Sequence, residues 1–324
     1  MSESDGLIAS YLFDGKGGGK SMNWQDIATW QPQDGPLWVH LDYKQAEAVQ
    51  WITHHSGLSQ LTAEALLADE TRPRTADIEG GLLIILRGVN LNPGSNPEDM
   101  VAIRIWTDGT RIITTRKRRL LSITDLCLAI DNGKGPKSPG EFLVMLIDRL
   151  SERMNDVIDD IDDRVDDLED KVLTMKSYEL RAVIAHIRRE AIALRRYLAP
   201  QREAMSRLYH EPIPWFEDIH RLRLRECADR IMRYIEDLDS ARERAVVAQE
   251  ELMSRLSEQV DKRMYVLSLV AAVFLPLGFL TGLLGINVPG IPGADYKYAF
   301  LVVSFLLIVL VITQIWIFKI KKWI

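Results

Sequence analysis

Nine carboxylates and one base, Arg164, occupy the stretch from Asp156 to Asp170. Asp159, Asp163, Asp166, Asp167 and Asp170 recur at helical spacing and share one face. Carboxylates this crowded attract cations and could bind hard divalent ions; the same pattern also describes a solvated, self-repelling helix face. Near the start, Gly15-Lys16-Gly17-Gly18-Gly19-Lys20-Ser21 follows an apolar strand and is similar to a phosphate-binding loop. Its spacing is one residue short, and the apolar run ending at Asp42 arrives too soon for a strand–loop–helix–strand unit. A glycine-rich turn between hairpin strands accounts for it better, and the chain is not read as an enzyme. His54 and His55 are adjacent, which suits a surface position better than two ligands on one metal. Cys127 and Cys227 stand apart without a Cys-x-x-Cys pair, which fits a reducing compartment and offers no zinc-finger framework. Zinc favours Cys and His ligands, yet neither residue type occurs from Glu250 to the C-terminus. No protein-ligand cluster for a metal is assigned, and no cofactor is expected. Arg116-Lys117-Arg118-Arg119 is a basic run that reads as a solvated face or as a contact for anionic lipid or a partner.

The elements that must position these groups include two long apolar runs. Met264 to Leu284 spans 21 residues and Ala299 to Phe318 spans 20, and neither contains a charge. A helix needs roughly 20 such residues to cross a bilayer core about 30 Å thick. Lys262 and Arg263 precede the first run, and Lys319, Lys321 and Lys322 follow the second. The intervening segment, 285–298, holds one acid, Asp295, and one base, Lys297. The positive-inside bias places both termini in the cytoplasm and that loop outside. Tyr296, Tyr298, Trp316 and Trp323 lie near the span ends, as interfacial aromatics do. The N-terminus lacks the basic and apolar regions of a signal peptide. A net charge of −6 argues against nucleic acid as a partner.

Ahead of the spans, 1–139 reads as a cytosolic α/β domain. Leu7–Phe13, Leu37–Tyr43, Gly81–Asn90, Val101–Thr107 and Arg111–Arg116 are strand-like runs bounded by turn residues. Thr107-Asp108-Gly109-Thr110 is a hairpin signal. Gln45–Trp51 and Thr62–Ala68 look helical. From 140 to 263 the period is helical throughout, giving helices over Glu141–Met175 and Tyr178–Tyr209. Pro212 and Pro214 then interrupt, and no further proline appears until Pro276. The third helix therefore runs on from the cytosol into the first span, as a stalk. The membrane domain is 264–324, with spans at 264–284 and 299–318. The fold class is α+β, a mixed sheet with helices, followed by long stalk helices and a two-span membrane region.

Met264, Leu267, Ala271, Leu275, Gly278 and Gly282 follow steps of three and four, a heptad seam. Small residues late in the seam permit close helix approach within a membrane. The seam is either plain helix packing or a path-lining stripe repeated around a ring. Two spans cannot enclose a water-filled path, so a path requires an oligomer.

Phe274-Leu275-Pro276-Leu277-Gly278-Phe279-Leu280-Thr281-Gly282, ending in Gly285-Ile286-Asn287, resembles the pore segment and Gly-Met-Asn hallmark of the CorA family of divalent-cation transporters, with Ile286 in place of methionine. The resemblance extends to Trp38-Val39-His40-Leu41, to Thr71-Arg72-Pro73-Arg74, and to Leu194 through Pro200 to Arg202. Tyr11-Leu12-Phe13-Asp14-Gly15-Lys16-Gly17-Gly18, Gly290-Ile291-Pro292-Gly293 and the Lys-Lys-Trp-Ile end look most like the ZntB-type zinc transport branch. The resemblance implies a funnel-shaped homopentamer in the bacterial inner membrane, transporting Zn2+, with protons as co-substrate. A CorA-type Mg2+/Co2+ channel is the alternative, and a non-conducting membrane-anchored scaffold a more distant one. The Met-Pro-Glu-like sequence of magnesium-transporting members is missing after the tripeptide, and Gly278 stands where Thr is frequent.

On that resemblance the selectivity motif is Gly285, Ile286 and Asn287. An amide ring at the mouth offers neutral oxygens that hold a hydrated cation through its waters without trapping it. Gly285 allows backbone turns that aim carbonyls at the axis; Asn287 as a simple helix cap is the competing reading. Pro276 removes one helix hydrogen bond mid-span, as a gating kink or an inert feature. No intramembrane carboxylate or histidine is available to carry protons. Extending the seam inward puts Ser257 and Glu250 on the axis, with Asp261 beside it, as possible inner cation or proton sites. A ring of Glu250 carboxylates would repel itself and raise their pKa; pairing of Glu250 with a nearby Arg is the alternative.

Overall fold

The computed structural model describes residues 5–174, 179–286, 291, 293 and 295–321. These fall into two compact units, Met1–Gln249 and Glu250–Ile324. In the first unit, seven strands form one sheet: β1 (Leu7–Phe13), β2 (Gly19–Ser21), β3 (Leu37–Asp42), β4 (Arg74–Ile78), β5 (Gly81–Gly88), β6 (Val101–Thr107) and β7 (Arg111–Arg116). The order is β2-β1-β3-β7-β6-β5-β4. Only β3 and β7 pair in parallel among these neighbours, Leu37 opposite Arg111 through Asp42 opposite Arg116. The sheet is mixed, as expected.

Helices cover both faces. The short helices α1 (Trp24–Thr29), α2 (Ala46–Gln50, prolonged by a π turn over Trp51–His55) and α3 (Gln60–Leu67) bury Ile27, Ala48, Ile52, Ala63 and Leu66 against strand residues such as Leu41 and Leu83. Asn23 starts α1 with a reciprocal capping box, its side chain accepting from Asp26 N while Asp26 accepts from Asn23 N. The other face carries α4 (Leu121–Asp131), α5 (Pro139–Thr174) and α6 (Glu179–His210). There Trp38 packs against Phe142 at a tilt of 56°, ring centroids 4.9 Å apart, with both side chains fully buried. Thr75 donates to the carbonyl of Ala204 and Gln201 accepts from Arg87 N, which ties α6 to β4 and β5. A Cβ on Gly88 would collide with Leu150 at 2.7 Å and with Leu120 at 2.8 Å, so glycine lets α5 lie close to the sheet.

The helix α7 runs Asp218–Gly285, with Pro276 inside it, and α8 runs Ala299–Ile320. The α7 residues up to Gln249 belong to the first unit, where Leu224, Ile231, Leu238, Ala245 and Ala248 are buried. The second unit holds the rest of α7 and α8. Each contains a stretch apolar and long enough to cross a bilayer, and those stretches bury nothing inside the chain. Such surface is stable only in lipid or against another helix.

The Gly15–Ser21 segment is a hairpin turn. β1 and β2 pair antiparallel, Phe13 opposite Gly19, and the Asp14 carboxylate accepts from the amides of Lys16 (2.7 Å) and Gly18 (2.9 Å). Those two amides are thereby engaged by an anion of the protein itself, and the backbone amides that cradle phosphate in a phosphate-binding loop are not presented.

Candidate transport path and cation sites

All six seam residues lie on the part of α7 that belongs to the second unit. At 100° per residue they fall within an arc of about 80°. Met264 is 56% exposed, Leu267 64% and Leu275 71%, and a Cβ added to Gly278 or Gly282 meets nothing within 4 Å. An apolar stripe this open, on a helix long enough to span, is covered by lipid or by another helix. Extending the arc inward on the same helix brings in Ser257 and then Glu250, with Asp261 at the edge. All three are exposed, and among the described residues neither Glu250 nor Asp261 forms an ion pair. The base nearest to Glu250 with a defined partner, Arg255, is bonded to Glu251 instead, Nε to Oε1 at 2.5 Å.

Hydroxyls inside the span are satisfied within the helix. Ser268 donates to the Met264 carbonyl at 2.9 Å, and Thr281 to those of Leu277 and Gly278 at 2.9 and 3.2 Å. This is what a low-dielectric surround demands of a polar side chain with no neighbour. Pro276 has no N–H for the carbonyl of Ala272, so α7 loses one rung there. Gly285 ends α7 and Ile286 follows, 48% exposed. Asn287 lies outside the described residues, as do Gly290 and Pro292 of the loop and Lys322 and Trp323 beyond α8.

The acidic stretch is resolved in detail, and an arginine clamp dominates it. Arg244 on α7 donates Nε to Glu169 Oε1 at 2.9 Å, Nη1 to Asp162 at 2.9 Å, and Nη2 to Glu169 Oε2 at 2.7 Å and to Asp166. Arg164 joins Asp160 (3.2 Å) to Glu190 of α6 (2.8 Å), a glutamate whose side chain is 4% exposed. Lys171 holds Asp167, and Asn155 holds Asp159 at 2.6 Å. Hydrogen bonds from Arg244 keep the Glu169 carboxyl below the usual range. By contrast the Asp237 carboxyl, near Asp162, Glu236 and Asp159, is pushed up by desolvation and by those like charges. Several of the acids are thus spent on bases, Arg164 and Lys171 of α5 itself and Arg244 of α7. No group of three or more His, Cys, Asp or Glu that could hold a metal ion is gathered among the described residues.

The clamp depends on Arg244 meeting Asp162, Asp166 and Glu169 across some 80 residues of sequence. Acidic spacing at i, i+4 and i+7 on α5 signals a receptive face, but nothing in the sequence singles out which of the chain's many arginines fills it. The basic run at the end of β7 also divides in a way its composition hides. Arg116 is buried at 7% exposure, while Lys117 is exposed and pairs with Asp69 at 2.6 Å. The expected solvated basic face is therefore only partly that: strand alternation turns Arg116 inward.

A mixed α/β unit followed by two bilayer-length helices, the first bearing an unpartnered seam, defines a membrane protein of the two-span transport class. Residues 33–322 match the family described as CorA-like Mg2+ transporter protein, and the chain belongs to the CorA family. It is 37% identical over 316 residues to zinc transport protein ZntB of Yersinia enterocolitica, covering 98% of this chain and 95% of that one. It is 38% identical over 326 residues to the divalent cation transporter CmaX of Pseudomonas aeruginosa, covering 98% and 97%. The structure of full-length CmaX superposes with a TM-score of 0.86 at 37% identity over 99% of both chains. The CorA magnesium transporter of Methanocaldococcus jannaschii superposes at 0.84 with 18% identity, over 98% of this chain and 99% of that one, which shows the common fold. These relatives carry the names of transporters rather than enzymes, in keeping with the resemblance read from the sequence.

Proposed function

We propose that this chain carries divalent cations across a bacterial cytoplasmic membrane, with both termini in the cytoplasm. The transported ion is Zn2+, taken up with protons through the central path of a homopentamer. The observation that carries this reading is the seam from Met264 to Gly282. It is a heptad-spaced stripe with small residues at Gly278 and Gly282, on a spanning helix whose apolar surface is exposed all round within the chain. Copies arranged in a closed ring bury it and surround an axis, whereas one chain with two spans cannot enclose a path. Gly285, Ile286 and Asn287 form the outer mouth, where the amide of Asn287 holds the ion through its hydration shell. Zinc is favoured by similarity to ZntB at 37% identity over nearly the full chain. The family's description as Mg2+ transporters makes magnesium the competing cargo.

Because the stripe carries no titratable group, protons would move with water, and carboxylates at the inner end would receive them. Glu250 is the residue assigned that role, with Asp261 beside it. Neither has a pairing base among the described residues, so a symmetric ring would leave Glu250 facing its own copies.

Two measurements test this. The detergent-solubilised protein should have a mass of about five times the 37.0 kDa chain; a monomer or dimer removes the path. Zinc uptake into proteoliposomes should rise with an inward proton gradient in wild type and lose that dependence in Glu250→Gln. Flux indifferent to the gradient makes the protein a passive channel, and coupled flux in Glu250→Gln clears Glu250 of the role.

A further inference from the structure

A cavity of about 400 Å³ lies in the first unit, lined by residues of β5, β6 and α6. Arginines dominate its wall: Arg87 from β5, Arg104 from β6, Arg118 from the basic run after β7, and Arg196 from α6. Lys117 also faces it but is matched by Asp69 at 2.6 Å. Glu98 and Asp99 are the remaining acids of the wall, so the four arginines outnumber them.

Two of those arginines are unusual. Arg104 is 1% exposed, and its hydrogen bonds, both from Nη2, go to the carbonyls of Ala68 and Asp69. Its Nε and Nη1 have no hydrogen-bond partner. Arg87 donates to the carbonyls of Met100 and Thr71, both at 2.8 Å, and its Nε likewise has no partner. Both guanidiniums therefore rest on neutral acceptors rather than on a carboxylate. Burying a cation without a counter-charge is costly, and orphan donors add to that cost. Each is also braced against an aromatic face, Arg87 over Tyr197 at 4.1 Å and Arg104 over Tyr43 at 4.9 Å. Arginines fixed by stacking and carbonyl bonds place two positioned positive charges in the wall of the cavity, where they attract an anion.

We propose that this cavity is a cytosolic binding site for a small phosphate-bearing anion. Its volume exceeds what a lone orthophosphate occupies and lies in the range of small-ligand sites, so the ligand is an organic or condensed phosphate, of which a nucleoside triphosphate is the representative. Arg87 and Arg104 supply the fixed buried charge. Arg118 and Arg196 close on the phosphates from opposite elements, the end of β7 and α6. The site lies wholly within the first unit and is independent of the seam, so it stands or falls separately from the transport reading.

The test is equilibrium binding to the purified full-length protein in detergent and EDTA, with inorganic phosphate, pyrophosphate, ATP and adenosine as probes. Pyrophosphate and ATP should bind saturably, with affinity falling as salt rises, and adenosine should not. Tighter binding of ATP than of pyrophosphate identifies a nucleotide as the source, and equal binding identifies a condensed phosphate. The double variant Arg118→Ala, Arg196→Ala keeps the buried pair intact and should weaken binding at least tenfold without shifting the thermal midpoint. Arg104→Gln should abolish binding where the variant folds. Absence of saturable binding by both pyrophosphate and ATP overturns the proposal, as does unchanged affinity in the double variant. A preference for orthophosphate over both larger probes overturns the assigned ligand class.

Discussion

Replacing Gly282 separates what one chain requires from what a ring requires. In the chain by itself a Cβ at Gly282 meets nothing within 4 Å. Glycine inside a helix is about 1 kcal/mol less favourable than alanine. On intrachain grounds, then, Gly282→Ala and Gly282→Leu both strengthen α7 slightly. The assembled path reverses the sign. In the proposed ring, five copies of the seam would bring five added side chains to one level of the axis, where overpacking costs about 1–3 kcal/mol per site. Summed over the ring this is about 5–15 kcal/mol, against a gain of at most about 5 kcal/mol from helix propensity. The net penalty is about 0–10 kcal/mol over the ring, so Gly282→Leu should lower metal flux into proteoliposomes, either by narrowing the path or by splitting the assembly. Mass measurement in detergent distinguishes those outcomes. Gly282→Ala, with one small methyl per subunit, should do much less. Wild-type flux and wild-type mass in Gly282→Leu would refute the placement of this face on the axis.

Other substitutions probe the first unit. Arg244→Gln releases Asp162, Asp166 and Glu169 together, and since the pairs are half-exposed the expected cost is about 1 kcal/mol. The lowered Glu169 pKa makes that contribution present above the ordinary carboxyl value of 4.5 and lost as pH falls through the folded-state value. The thermal midpoints of wild type and variant should therefore differ at pH 7 and converge in acid; a gap that widens on acidification would contradict the clamp. Phe142→Ala removes the fully buried ring packed against Trp38 and should cost about 3–5 kcal/mol in denaturant unfolding of the full chain, and a cost below 1 kcal/mol would show that this contact is not a core contact.

How much of this was legible in the sequence depends on the range of the interaction. Strands such as Leu7–Phe13, Val101–Thr107 and Arg111–Arg116 declare themselves by local residue type, and the structure starts and ends them at the same residues. Spans are legible because a bilayer imposes length and apolarity on one continuous segment. The short strand Gly19–Ser21 and the helix Trp24–Thr29 were not read, because three residues carry no period and six carry less than two turns. β4 was missed for a related reason: Arg74–Ile78 is polar at most of its positions and is held by its pairing with β5. Of the candidate site, the heptad steps of the seam are a local pattern that the sequence displays, while the Arg244 clamp and the arginine cavity were not legible. Both join residues from distant segments, and no local spacing announces which cation meets which carbonyl or carboxylate.

The central claim is that divalent cations cross the membrane through a ring of these chains whose outer mouth is set by Asn287. Zinc uptake into sealed vesicles containing the purified protein, wild type beside Asn287→Ala, tests it most directly. The account predicts uptake by wild type and its near-complete loss in Asn287→Ala, with the variant still assembled at about five chains. Absence of cation uptake by wild type, or transport by Asn287→Ala at the wild-type rate, would contradict it.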